Sequence, residues 1–482
     1  MPAPRREIYL LSPKQHSPET IAVAFAKTSR SPESFREIAA ELSDEQSAQF
    51  HEKWVVGYGH ASVAEHAVLH LAIENASRLA MEAIESNRLA SYTEKSTRYQ
   101  KWDFDNFHTP AELEGHPLRE EYIATCCMLF ETYQQSLAPV RNLVEKQFPR
   151  RENESEQAWD RRIRSQYVDS CRFLLPAASL ANVGMTANGR VLENAIRKWR
   201  SHGLAEVREI GETIKEVAQG EIPTLVKYAE PVSYLVETAK ELEKISKQAN
   251  RETGRQGNRE TGRQGDTQTG DFCILADYDP DGERKVLAAA LYRFGNMSYS
   301  QALETVKTGD TEALAAALLS RLGRFDTPLR ELEHTTYTFQ LVMDQGAYAE
   351  FKRHRMMTQT PQLQTAALGY ATPRRIVEAG FGDEYRRAMD SAAACWQKLH
   401  DFHPLVAQYI VPNGFYRRVL ATFNLREAYA FCQLRAASNA HFSIRKIAQQ
   451  VAEEIQRVHP LLSKYMKLPA ESWQDIEKGF FA

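Results

Sequence analysis

The sequence predicts an α+β fold built twice in tandem, and three observations carry that prediction. A set of landmarks recurs at a nearly constant offset, each set follows the same strand-then-helix pattern, and a polar repetitive stretch separates the two. Pro176 lies twelve residues before Asn188, and Pro412 lies twelve before Asn424. Both asparagines open an Asn-x-Arg triplet, Asn188-Gly-Arg190 and Asn424-Leu-Arg426. Further on, Glu206-Val-Arg208-Glu-Ile matches Ser443-Ile-Arg445-Lys-Ile, and Pro223-Thr-Leu-Val-Lys-Tyr228 matches Pro460-Leu-Leu-Ser-Lys-Tyr465. The offset holds at 236 to 237 throughout. Duplication followed by divergence accounts for this.

The elements follow in order. After Glu65-His66, the alternating Ala67, Leu69, Leu71 and Ile73 give the period of a half-buried strand. Ser77 then caps a helix through Arg78-Leu-Ala-Met-Glu-Ala-Ile. In the second half Tyr337, Phe339, Leu341 and Met343 alternate after Glu333-His334. Asp344 caps a helix through Ala347-Tyr-Ala-Glu350-Phe-Lys352. His66 and His334 are expected to be buried and hydrogen-bonded beside these strands. Between the halves, residues 251–257 and 259–265 are identical and carry almost no apolar side chains. Such a stretch cannot bury enough surface to offset its ordering entropy. The expected organisation is a first repeat over 1–245, a low-complexity linker over 246–271 and a second repeat over 272–482.

Composition bounds the function. At 482 residues, 43% hydrophobic and 26% charged, the chain reads as a soluble multidomain protein. A net charge of -3 gives no basic surface for nucleic acid. No apolar run is long enough to suggest a membrane span, and the start Met1-Pro-Ala-Pro-Arg-Arg lacks the apolar region of a secretory signal. Six scattered cysteines, none in a Cys-x-x-Cys pair, point to a reducing cytoplasm.

Two charged clusters stand out. Arg353-His354-Arg355 puts two guanidinium groups and an imidazole within one turn at a helix end. That suits a polyanionic or flat ligand, or the helix's own carbonyls. Glu94-Lys-Ser96-Thr-Arg98 offers a carboxylate, a hydroxyl and a guanidinium in a loop able to hold a phosphate, or to be an ordinary polar turn. His60, Glu65 and His66 do not have the spacing of a helical metal-binding pair, so no metal site is expected.

Taken together, His60-Ala-Ser62-Val-Ala-Glu65-His66, Ser77-Arg78 and Arg88-Leu-Ala-Ser91-Tyr-Thr-Glu94-Lys-Ser96-Thr-Arg98-Tyr99 closely resemble the flavin-dependent thymidylate synthases. Arg172-Phe-Leu-Leu-Pro176 and Asn188-Gly-Arg190 extend the match. The second half resembles a more distant copy, with Arg353-His354-Arg355, Asn424-Leu-Arg426 and Leu434-Arg435. The two copies have lost different parts. The first has Ser86-Asn87 and Trp199 where the family has Arg-His and the arginine facing the pyrimidine; the second keeps these as Arg353-His354 and Arg435. The second has Pro361, Leu363, Thr365 and Gln408 where the first keeps Glu94, Ser96, Arg98 and Arg172. It also has Arg330 for Ser62 and Ala430 for Asn194.

In the family, sites are shared between the subunits of a homotetramer, and this chain has divided along the same line. The resemblance therefore implies a composite site in which one repeat complements the other. It implies FAD held by Ser62, Glu94, Asn188, Arg190 and Asn194, with Arg353, His354 and Arg355 from the second repeat. It implies dUMP held by Ser96, Arg98, Arg172, Glu350, Arg353 and Arg435. Arg435 is the implied catalytic cation, stabilising charge on the uracil ring. NADPH and methylenetetrahydrofolate are the implied co-substrates, dTMP the product, and a homodimer of fused repeats the implied assembly. A non-catalytic flavin- or nucleotide-binding relative, or another one-carbon transfer to uracil, remain as alternatives.

Overall fold

The computed structural model describes residues 7, 9–29, 31–57, 61–96, 98, 102, 106–260, 272–323 and 326–482. For residues 56, 57 and 250–260 it describes the backbone alone. The chain forms two compact units. One comprises Met1–Lys95, His108–Glu114 and Leu180–Gln264; the other comprises Ser96–Phe107, Gly115–Ser179 and Gly265–Ala482. Much of the first repeat, residues 115–179, therefore belongs to the same unit as the second repeat.

The first unit is built on an antiparallel sheet of β1 (Val68–Ser77), β2 (Ser91–Glu94) and β3 (Leu180–Asn188), in the order β1-β3-β2. The register of β1 shifts between Ile73 and Ala76, and Asn75 there has φ 57°, a left-handed conformation that asparagine tolerates. Ser77 ends β1 and caps the helix Arg78–Ile84, its Oγ accepting from the Ala80 N–H. Glu206 anchors that cap from below, accepting from the Ser77 N–H at 2.7 Å and its hydroxyl at 2.6 Å. Asn188 caps the helix Gly189–Arg200 in the same way, accepting from the Val191 N–H at 2.9 Å.

The helix Ser233–Glu260 carries the chain well into the stretch expected to be linker. Its Glu, Arg and Gln residues are good helix formers despite the glycines. Residues 261–271 lie outside the described residues.

The second unit contains β4 (Cys273–Tyr278), β5 (Thr336–Asp344), β6 (Thr358–Pro361) and β7 (Tyr416–Asn424), antiparallel in the order β4-β5-β7-β6. Its β5, β7 and β6 reproduce β1, β3 and β2. Asn188 pairs with Val68 at the start of β1 as Asn424 pairs with Thr336 at the start of β5, and β3 and β7 alternate buried and exposed in the same order. β4, which the sequence did not reveal, extends this sheet beyond β5. Tyr337, Phe339, Leu341 and Met343 point into a core with Phe423, Phe431 and Ile444. Asp344 caps the helix Gln345–Phe351 by accepting from the Ala347 N–H at 2.8 Å.

Two long helices, Leu118–Gln147 and Glu156–Cys171, follow in the first repeat. The segment after them, Phe173–Ala178, runs antiparallel to residues 409–414. Pro176 faces Pro412, the Ala177 N–H donates to the Val411 carbonyl, and the Asn413 N–H donates to the Leu175 carbonyl. These two prolines are the landmarks that first revealed the duplication. Equivalent segments of the two repeats thus pair with each other, as an isologous contact requires. Among the described residues, no helix is long and apolar enough to cross a membrane.

Candidate active site

The helix Glu156–Cys171 ends in a 3-10 turn, Arg172–Leu174, which places Asp169 and Arg172 three residues apart at its end. Asp169 receives a bidentate pair from Arg98, with Nε to Oδ1 at 2.9 Å and Nη2 to Oδ2 at 2.8 Å. It also lies 3.9 Å from the Arg172 Nε. Ser96 accepts from the Arg98 N–H at 3.2 Å, turning the loop so that its hydroxyl and the guanidinium belong to one local structure. Arg98 extends further, donating from Nη1 to the Asn439 carbonyl at 3.0 Å.

The second repeat supplies the rest. Glu350, in the last turn of the helix Gln345–Phe351, accepts from the Arg435 Nη1 at 2.9 Å through Oε2. Its other oxygen lies 3.7 Å from the Arg98 Nη1. That oxygen is buried and makes no hydrogen bond among the described residues. Arg435 ends the helix Leu425–Arg435, and its Nε donates to the His354 Nε2 at 3.0 Å. His354 in turn lies 2.9 Å from the Glu427 Oε1 through Nδ1. A guanidinium N–H can only donate, so Nε2 is the acceptor and the imidazole proton sits on Nδ1, facing Glu427. Burial holds the His354 pKa below its ordinary value, consistent with this neutral form. Burial also lowers the Arg435 pKa, with the Glu350 carboxylate acting in the opposite direction.

Arg172 is buried, and its Nη2 reaches the Gly346 carbonyl at 3.5 Å. A Cβ at Gly346 would meet Asp344 Oδ1 at 3.0 Å and Arg172 Nη2 at 3.4 Å, so glycine keeps this approach open. His441 packs here too, its Nδ1 accepting from the Ser443 N–H and its Nε2 facing the Asp169 carbonyl at 3.3 Å. Burial, then Arg172 and Arg98, push its pKa well down, so it adds no further positive charge.

Asp344, beside them, is pushed up to about 6 by burial, with its hydrogen bond from Ala347 and the charge of Arg172 acting the other way. Its folded pKa exceeds its unfolded one. Asp344 therefore contributes full stability below the unfolded value and loses that contribution as pH rises through about 6. Asp344→Asn, which preserves the cap, is expected to remove this loss. Urea midpoints measured from pH 4 to 7 should show the native chain losing ground to the variant as pH rises, and parallel curves would contradict the assignment.

The structure thus joins Ser96, Arg98, Arg172, Glu350 and Arg435 in one unit. Arg353 is exposed just beyond the helix and Arg355 is half-buried. The other candidates lie in the first unit. Glu94 is nearly buried and receives Arg78 at 3.0 Å. Arg190 pairs with Glu65 at 2.5 Å, as Arg426 pairs with Glu333 at 2.8 Å in the second repeat. The Asn188 side chain is engaged as a helix cap, and Asn194 is exposed nearly two turns along the same helix. Ser62 lines a cavity of about 730 Å³ with Phe25, Lys27, Phe50, Trp54 and His66. Aromatic walls, hydroxyls and one ammonium form a donor set that fits an aromatic nucleotide cofactor.

His66 and His334 are exposed rather than buried. Each ends a short 3-10 turn at the rim of a cavity, ahead of the strand instead of within its packing. His60 and Tyr99 lie outside the described residues. The sequence reading missed Asp169 and Glu427. Spacing gave a signal for both: Asp169 lies one helical turn before Arg172, and Glu427 is the third residue after the capping Asn424.

The family model described as thymidylate synthase complementing protein matches residues 10–224 and again residues 274–461. The chain belongs to that family. It carries the family domain twice, as a tandem member. The UPF0159 protein of Chlamydia muridarum is 31% identical over 455 residues, covering 90% of this chain and 84% of its own length. The flavin-dependent thymidylate synthase of Clostridium tetani is 27% identical over 223 residues, covering 45% of this chain and 83% of its own. A crystal structure of the Helicobacter pylori flavin dependent thymidylate synthase, complexed with FAD and dUMP, is similar with a TM-score of 0.30 and 17% identity. It covers 41% of this chain and 99% of that one.

Proposed function

We propose that the chain catalyses the reductive methylation of dUMP to dTMP, with FAD as cofactor and methylenetetrahydrofolate and NADPH as co-substrates. The site is composite. One observation carries this reading: Arg98 and Arg172 of the first repeat meet Glu350 and Arg435 of the second in one buried charge network. At the counterpart positions, set by Ser77/Asp344 and Pro176/Pro412, the opposite combination has Thr365, Leu405, Gln408, Ala83 and Trp199. The charged groups survive together for one of two pseudo-equivalent sites, which supports a single working site per chain.

In this reading Ser96, Arg98 and Arg172 hold the dUMP phosphate through charge-assisted hydrogen bonds. Arg435 faces the uracil, and its fixed positive charge stabilises the anion that develops on the ring. Glu350, already bridging the two arginine sets, and Arg353 complete the nucleotide contacts. FAD, when bound, supplies hydride transfer; Ser62, Glu94, Asn188, Arg190 and Asn194 would hold it, with Arg353, His354 and Arg355. Two chains would assemble as a homodimer with four repeats.

The test is a titration of dUMP into the FAD-loaded protein, counting ligands per chain. The expected result is one FAD and one dUMP per chain, with dUMP binding abolished by both Arg98→Ala and Arg435→Ala. Two dUMP per chain would overturn the composite site. Binding of neither FAD nor dUMP would assign the chain to the non-catalytic relatives.

A further inference from the structure

Arg435 does not hold its position alone. Its Nε donates to His354, His354 faces Glu427, and all three side chains are at least four-fifths buried. Phe431 stands edge-on to the imidazole at 5.0 Å, and the Gln359 amide donates to the His354 carbonyl at 2.9 Å, so both ring and backbone are fixed. A neutral imidazole can carry its proton on either nitrogen. Only the Nδ1–H form leaves Nε2 free to accept from Arg435, and a carboxylate at Nδ1 selects that form.

The first repeat supplies an internal comparison. Counterparts of Glu427, His354 and Arg435 are Val191, Asn87 and Trp199. There the Asn87 amide donates to the Ile84 carbonyl at 3.0 Å and the Trp199 indole to the Ala83 carbonyl at 3.2 Å. Both polar groups donate to carbonyls at the end of the helix Arg78–Ile84, and no carboxylate remains at position 191. The three members differ as a set. Replacement of Glu427 alone would leave His354 free to take the wrong tautomer, with an N–H facing an N–H.

We propose that Glu427 is a positioning residue for Arg435, acting through His354, whose Nδ1–H it accepts so that Nε2 aims the guanidinium at the pyrimidine. This rests on the reading of Arg435 as the cation facing uracil. The prediction concerns the ring-binding half of the nucleotide site and leaves the phosphate-binding half unchanged. Glu427→Val, the residue of the first repeat, should lower kcat by about ten- to a hundred-fold, the usual penalty for a displaced catalytic group. Glu427→Gln, whose amide oxygen still accepts from Nδ1–H, should recover most of that loss.

Two measurements test it. The first is nitrogen NMR of His354 in the ligand-free chain, expected to report Nδ1–H in the native protein and Glu427→Gln but not in Glu427→Val. The second compares binding of dUMP with binding of 2-deoxyribose 5-phosphate, which lacks the ring. Glu427→Val should lose affinity for dUMP and keep it for the sugar phosphate. An unchanged tautomer in Glu427→Val, equal loss of both ligands, or a glutamine variant no better than valine would overturn the proposal. If the native chain binds neither ligand, the nucleotide reading fails, and the tautomer signals decide the Glu427–His354 link by themselves.

Discussion

Arg435→Ala is expected to lower the turnover of dUMP by a factor on the order of 10²–10³, the range for loss of one preorganised charge in a water-poor site. The guanidinium is held at two points in a largely buried setting, by Glu350 and by His354. It therefore needs no reorganisation when charge develops on the ring. Removing it also leaves Glu350 without its hydrogen-bonded partner, although Arg98 remains 3.7 Å away. A modest loss of stability should accompany the large loss of rate. Stopped-flow and steady-state kinetics, with flavin content as a control, separate the two effects. A variant with native kcat and a raised KM would show that Arg435 contributes binding alone.

Asp169→Ala is expected to cost about 3–5 kcal/mol of stability, because it leaves the buried Arg172 and the largely buried Arg98 without their shared carboxylate. Arg98 loses both arms of a bidentate pair, and Arg172 loses its nearest acid at 3.9 Å. Asp169→Asn should be milder, since its amide oxygen can still accept from Arg98, and should isolate the loss of charge from the loss of shape. Urea denaturation with the slope held fixed measures the difference. A change below 1 kcal/mol in the alanine variant would mean that water reaches both cations and that this part of the site is less buried than its geometry implies.

Much of the site was legible because the duplication displays its own substitutions. The alternation of Tyr337, Phe339, Leu341 and Met343 gave β5, and Ser77 and Asp344 gave the helix starts, since both signals are local. The split between Arg98 with Arg172 and Glu350 with Arg435 was visible as complementary losses, and the structure brings those four side chains into one network. Other features had no local signal beyond a bare spacing. Asp169 and Glu427 are ordinary acidic helix residues until folding places a guanidinium or an imidazole against them. Likewise, β4 is too short to distinguish from a loop, and it owes its strand to pairing with β5. Nothing in the sequence over 115–179 revealed that it packs in the same unit as the later repeat.

The pairing of Pro176 with Pro412 has a consequence for how the molecule is made. The partners lie 236 residues apart, and the unit that contains them is interrupted along the chain. At a synthesis rate of roughly 5–20 residues per second, the segment around Pro176 waits about 10–50 s for its partner to leave the ribosome. During that interval the helices Leu118–Gln147 and Glu156–Cys171 lack the surface they finally cover. Non-local contacts of this kind slow folding and leave apolar faces open to wrong partners. The same connection that keeps the two halves of the site in one chain thus leaves part of the nascent first repeat uncovered until the second arrives.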